Sequence, residues 1–151
     1  VNISIRPATT ADAPQVASVL LTSRKTFLSF AALAHTDAEV RAWVRDVLIP
    51  AGGVTMACED NTVIGMIDAA HEHGVSWIHQ LYVAPSHVGR GIGTQLLAQA
   101  LTLLPRPIRL YTFQQNSGSR RFYERHGFVA IAFSDGAANE ERCPDVLYEL
   151  R

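Results

Sequence analysis

The chain has 151 residues, 48% of them hydrophobic and 18% charged, with a formal net charge of −1. That length suits one domain, read here as spanning 1–151, with a substantial core, and the near-zero charge gives no global field that would select nucleic acid or an anionic membrane. No apolar run approaches the roughly 18–20 residues of a membrane span, VNISIRP carries no signal-peptide pattern, and Cys58 and Cys143 are too few for a disulfide framework, so the expectation is a cytoplasmic protein without nucleic-acid or membrane partners.

Ile3 and Ile5 alternate with Ser4 and Arg6 until Pro7, a short strand. Thr9, Thr10 and Asp12 offer capping oxygens, and Pro14 is tolerated in a first helical turn. Val16, Val19, Leu20 and Ser23 follow at helical spacing. Residues 24–35 are too irregular for one helix. Thr36-Asp-Ala-Glu39 is a capping box, behind which Val40, Trp43, Val44, Val47 and Leu48 share a face and Pro50 stops the helix. Residues 54–58 and 62–70 read as a hairpin, and after a turn at His73-Gly74 comes a third strand over 75–83. A glycine-rich loop and a helix follow. A strand over 108–113, a helix from Asn116 or Ser117 to His126, a strand over 128–133, a polar loop and a strand over 146–150 complete the order β-α-α-β-β-β-α-β-α-β-β. Hairpins mixed with two crossovers predict an α+β fold with a mixed sheet.

The stretch after the third strand carries the first chemical signal. Gly89, Gly91 and Gly93 alternate around Arg90, and Leu96, Leu97, Ala100 and Leu101 then run at helical spacing. Glycines let amides turn inward without Cβ clashes, and the first amides of a helix have no partners inside it. Together with the helix dipole they make an anion site. A Walker A loop is excluded because the only lysine is Lys25. The dinucleotide fingerprint fails because Leu96 stands where its third glycine belongs.

The second signal is Asn116-x-x-Ser119-x-x-Phe122-Tyr123-Glu124-x-x-Gly127-Phe128, which begins beyond the next strand. The pair of motifs, in this order and on these elements, resembles the GNAT (general N-acetyltransferase) superfamily. Its coenzyme A loop, written Q/R-x-x-G-x-G/A, falls on Val88, Gly89, Arg90, Gly91, Ile92 and Gly93, with Val88 departing from the first position. Its later pattern, N-x-x-A-x-x-F-Y-x-x-x-G-F, has Ser119 in place of Ala. With the β-α-α start, the resemblance covers essentially the whole chain.

The resemblance implies a mostly antiparallel sheet of about seven strands flanked by about four helices, and direct transfer of acetyl from acetyl-CoA, the co-substrate, to an amine, with a small molecule favoured over a protein N-terminus. The strand Leu81, Tyr82, Val83 would pair through its backbone with the pantetheine arm. Amides from Gly89 through Ile92 and Gly93 to Thr94 would hold the pyrophosphate, with Arg90 adding charge. Asn116 would contact the cofactor arm, and Tyr123 would protonate the leaving thiolate. For the base, His79 shares the parity of Leu81 and Val83, with His71 and Glu72 on the preceding strand, or deprotonation through water, as alternatives. His71-x-His73 would share a strand face but lacks further ligands at a metal spacing, so no metal is expected. The acidic loop around Asp135, Glu140, Glu141 and Asp145 would attract a cationic amine. Phe27, Phe30, Trp43 and Trp77 read individually as core, with an acceptor pocket as the other reading. A non-catalytic acyl-CoA-binding module stays open as the alternative, and exposed edge strands make a homodimer plausible.

Overall fold

In the computed structural model, which describes residues 2–151, these signals resolve into seven strands and four α-helices. In chain order they are β1 (Ile3–Pro7), α1 (Ala13–Phe27), α2 (Asp37–Trp43), β2 (Val54–Glu59), β3 (Thr62–Glu72), β4 (Val75–Val83), α3 (Ile92–Leu103), β5 (Ile108–Phe113), α4 (Ser117–Arg125), β6 (Val129–Ser134) and β7 (Asp145–Leu150). The strands make one sheet in the order β1-β2-β3-β4-β5-β7-β6. Every junction is antiparallel except β4–β5, which is parallel. The α+β class and mixed sheet are those expected from the hairpins and crossovers, and the mostly antiparallel pairing is the one the resemblance implies.

Helices cover both faces. On one face α1, α2 and the turn that follows α2 pack Val16, Leu20, Val40 and Val44 against Met56 and Met66 of the sheet. On the other, α3 and α4 pack Leu96, Leu97 and Tyr123 against Ile64, Ile108, Leu110 and Tyr148. Capping boxes precede both helices, one at a 3-10 turn over Thr10–Asp12 that leads into α1 and one directly at the start of α2. The Asp12 carboxylate meets the Arg6 guanidinium at 3.2 Å and accepts the Thr9 amide at 2.8 Å, and the guanidinium first, then the amide, holds it below the usual carboxylate range. Thr36 Oγ1 accepts the Glu39 amide at 3.2 Å, and Glu39 accepts the Thr36 amide at 2.8 Å.

Two readings of the helices are corrected. α1 runs on to Phe27, into the stretch judged irregular. The apolar face expected behind Thr36 is narrower, because residues 44–48 form a π-helical turn in which the Ile49 amide reaches the Val44 carbonyl. That wider turn keeps Val40, Val44 and Leu48 inward and leaves Trp43 and Val47 exposed.

Two irregularities in β4 shape the site. Its pairing with β5 is confined to Ser76, Trp77 and Ile78 against Ile108, Arg109 and Leu110. Its pairing with β3 jumps from Asp68↔Gln80 to Ala69↔Ile78, which leaves His79 as the extra residue of a β-bulge.

Leu96 is fully buried in the second core. We expect Leu96→Ala to lower unfolding free energy by about 2–5 kcal/mol, read from the urea midpoint at unchanged m-value.

Candidate active site

Beyond Ile78, β4 and β5 share no ladder, and a cleft of about 1240 Å³ opens where they separate. The Ala84 amide donates to the Ile64 carbonyl at 2.8 Å, so that position of the chain faces β3. Alternation then turns the main-chain groups of Leu81 and Val83 away from β3, toward the cleft. The glycine loop closes one end. Gly89 and Gly91 both lie at φ 77°, a left-handed conformation that favours glycine, and Gly91 stands at the N-cap of α3. Among the described residues, the amides of Gly89, Arg90, Gly91, Ile92, Gly93 and Thr94 donate to no protein backbone acceptor outside the helix, and the first α3 bond is Gln95 to Gly91. Six consecutive free donors at a helix N-terminus form a concave anion cradle. Val88 and Gly89 line the cleft, but the Arg90 side chain is exposed and off its lining. Ile92 turns its side chain into the core.

The motif on α4 forms the neighbouring wall. The Asn116 side chain accepts the Ser119 amide at 3.2 Å, so its oxygen serves the helix cap and its amide nitrogen remains for the cleft. Tyr123 is buried, edge-on to Phe122 at 5.2 Å and Phe128 at 5.7 Å, and borders the cleft. Burial, and next the nearby Tyr82, push its phenol well above the ordinary value of 10.0. It is therefore a protonated donor at neutral pH. The helix that carries it is tied down: Arg120 Nε donates to Tyr148 Oη at 3.0 Å, and Tyr148 donates to Glu124 at 2.7 Å. Gly127, at φ 90°, ends α4 and returns the chain to Phe128.

The opposite wall comes from the end of α1, the β5 tip and the β6–β7 loop. Tyr82 turns its side chain to this side, where its hydroxyl accepts from Arg24 Nη1 at 3.3 Å; only its backbone belongs with Leu81 and Val83. Arg24 is 8% exposed. It also donates to the Ala31 carbonyl, meets Glu141 at 3.7 Å and lies over the Phe113 ring. Its Nε has no partner among the described residues. Sequence reasoning missed Arg24 because a lone arginine in an irregular stretch belongs to no motif. His35 pairs with Glu140 at 3.2 Å, a second tie between this segment and the late loop. Phe27 and Phe30 line the cleft and are not core; Trp43 lies elsewhere on the surface. Trp77 stacks between Tyr111 and His79.

His79 borders the cleft, but the parity argument for it fails. The bulge adds one residue between Ile78 and Gln80, so His79 lies on the Trp77 side of the sheet and not with Leu81 and Val83. Asp68, opposite Gln80, is buried and close enough to be influenced by the His79 charge. His71 bonds Ser76 at 3.0 Å and His73 sits in the β3–β4 turn at φ 52°, so the two do not share a strand face. Neither His71 nor Glu72 lines the cleft.

A family model described as "Acetyltransferase (GNAT) family" matches residues 20–128. The chain belongs to the GNAT family. An uncharacterized N-acetyltransferase of Methanocaldococcus jannaschii is 34% identical over 77 residues, which is 48% of this chain and 32% of that protein. The GNAT chain thus matches about a third of that relative's length. Among solved structures, PaiA N-acetyltransferase of Thermoplasma acidophilum in complex with coenzyme A superposes at TM-score 0.78 with 21% identity, covering 100% of this chain and 99% of that one. A GNAT acetyltransferase of Bacillus cereus gives 0.78 at 16% identity, covering 100% and 98%. Arabidopsis thaliana Naa50 with a bisubstrate analogue gives 0.76 at 18% identity, covering 100% and 99%. These three share the fold.

Desolvation by burial raises the Asp68 carboxyl above its ordinary value of 3.8, against a smaller lowering by His79. A carboxyl raised on folding costs nothing below its unfolded value and destabilises increasingly as pH rises past it. We expect Asp68→Asn to raise the melting temperature at pH 7, with the gain fading as the scan is repeated toward pH 4.

Proposed function

We propose that this GNAT protein moves an acetyl group from acetyl-CoA directly to a small-molecule amine. The observation that carries the reading is the row of unpartnered amides at residues 89–94, set beside a strand whose free main-chain groups face an open gap. A diphosphate fits the first, and an amide-bearing arm fits the second as an added strand. Bound acetyl-CoA supplies an activated acetyl carbon and a thiolate leaving group.

The chain's residues do the rest. The amides of Gly89, Arg90, Gly91, Ile92, Gly93 and Thr94 hold the diphosphate, assisted by the N-terminal dipole of α3. Leu81 and Val83 align the arm, and the Val83 amide polarises the thioester carbonyl. The Asn116 amide nitrogen contacts the arm. As the amine nitrogen bonds to the acetyl carbon and the carbon–sulfur bond breaks, Tyr123 delivers its phenolic proton to sulfur. His79, at the cleft margin, takes the proton that the amine releases. The carboxylates of the late loop draw the ammonium in. A cleft bordered by the Arg24–Glu141 tie suits a small acceptor better than a peptide.

Acetyl-CoA at 100 times its Kd should stabilise the protein by about 2.7 kcal/mol in a thermal melt, while ATP and NAD leave it unmoved. Tyr123→Phe should lower kcat by about 100-fold or more with acetyl-CoA affinity retained, measured by free-thiol release and calorimetry. Unchanged turnover would remove Tyr123 as the acid.

A further inference from the structure

We infer that the acceptor is an arylalkyl monoamine: one amino group on a short arm from a flat aromatic ring. This rests on the acetyltransferase reading above and adds the chemistry of the second substrate.

The first observation is a set of aromatic rings that no core uses. Phe27 is 46% exposed, Phe30 39% and Tyr111 59%, and all three line the one cleft. Phe113 lines it too, and none of the four belongs to either apolar core. Large apolar groups gathered at one concave place, and left in water, mark a surface that a ligand covers. The rings are also braced. Phe30 stands edge-on to Phe113 at 6.1 Å, and Trp77 stacks behind Tyr111 at 5.8 Å with an 11° tilt. Braced rings present fixed faces and edges, which a planar ligand meets by offset or edge-to-face contact.

The second observation is the charge count on the same wall. Arg24 and Glu141 neutralise each other at 3.7 Å. Asp145, also on the lining, accepts from Ser134 Oγ at 2.5 Å and from Asn139 Nδ2 at 3.2 Å. Among the described residues it has no ion-pair partner, which leaves one negative charge for one ammonium. Among the described residues no second unpaired carboxylate lines this wall, so a polyamine fits poorly. An ammonium held beside aromatic faces also gains cation–π attraction.

The test measures kcat/KM by free-thiol release with 2-phenylethylamine, 2-cyclohexylethylamine, spermidine and a short peptide with a free N-terminus. We expect 2-phenylethylamine to lead each of the others by at least about tenfold, and Phe30→Leu or Phe27→Leu to shrink the lead over the cyclohexyl compound to about threefold or less. Acetyl-CoA melts on the same preparations confirm that each variant is folded. A preference for spermidine or the peptide, an equal rate with the cyclohexyl compound, or an unchanged ratio in both variants overturns the aromatic acceptor and leaves the acetyltransferase reading intact. Turnover of no amine, with acetyl-CoA failing to stabilise the protein, overturns both.

Discussion

The separation of β4 from β5 is the constraint on which the rest depends. Their ladder has only three registered pairs, and beyond Ile78 each strand has a free edge inside the protein. Unpaired main-chain groups in an interior gap are costly unless something binds them. The bulge at His79 and the glycine loop keep the gap from closing, one by breaking the β4 register and the other by turning the chain away into α3. The gap persists because both sides are anchored elsewhere. β4 is held by its long pairing with β3, and β5 by six registered pairs with β7.

From this follows a division of labour between the two faces. On the α3–α4 face the walls are made of backbone and tightly packed rings: Gly93 approaches the Phe122 ring, and Tyr123 lies among Phe122, Phe128 and Tyr148. A rigid wall suits a ligand that never changes. On the α1 face the walls are exposed side chains on segments joined by ion pairs, among them Arg24 with Glu141 and His35 with Glu140. Such a wall can be altered without touching the cradle, which is why the proposed acceptor site is placed there.

The sequence disclosed these two faces unequally. The order of elements, the capping box at Thr36, the glycine loop and the role of Gly127 were all legible because each is local: a few neighbouring residues determine the geometry. Tyr123 was legible because its motif fixes its place on α4 relative to Asn116. What failed was long-range or depended on register. His79 was assigned to the wrong face because a β-bulge leaves no mark in the composition of a strand. Val47 and Trp43 were assigned inward because a π-helical turn shifts the helical period. His73 left its expected strand face because the turn claimed it. Arg24 and the late loop meet across more than a hundred residues of sequence, and no local spacing records such a pairing.

The central claim, that the open edge of β4 and the amides at the start of α3 grip acetyl-CoA, is tested most directly by amide chemical shifts in ¹⁵N-labelled protein titrated with it. The account predicts the largest changes at Leu81, Val83 and residues 89–94. Changes centred elsewhere on the sheet, or none at Leu81 and Val83 under saturating acetyl-CoA, would contradict it.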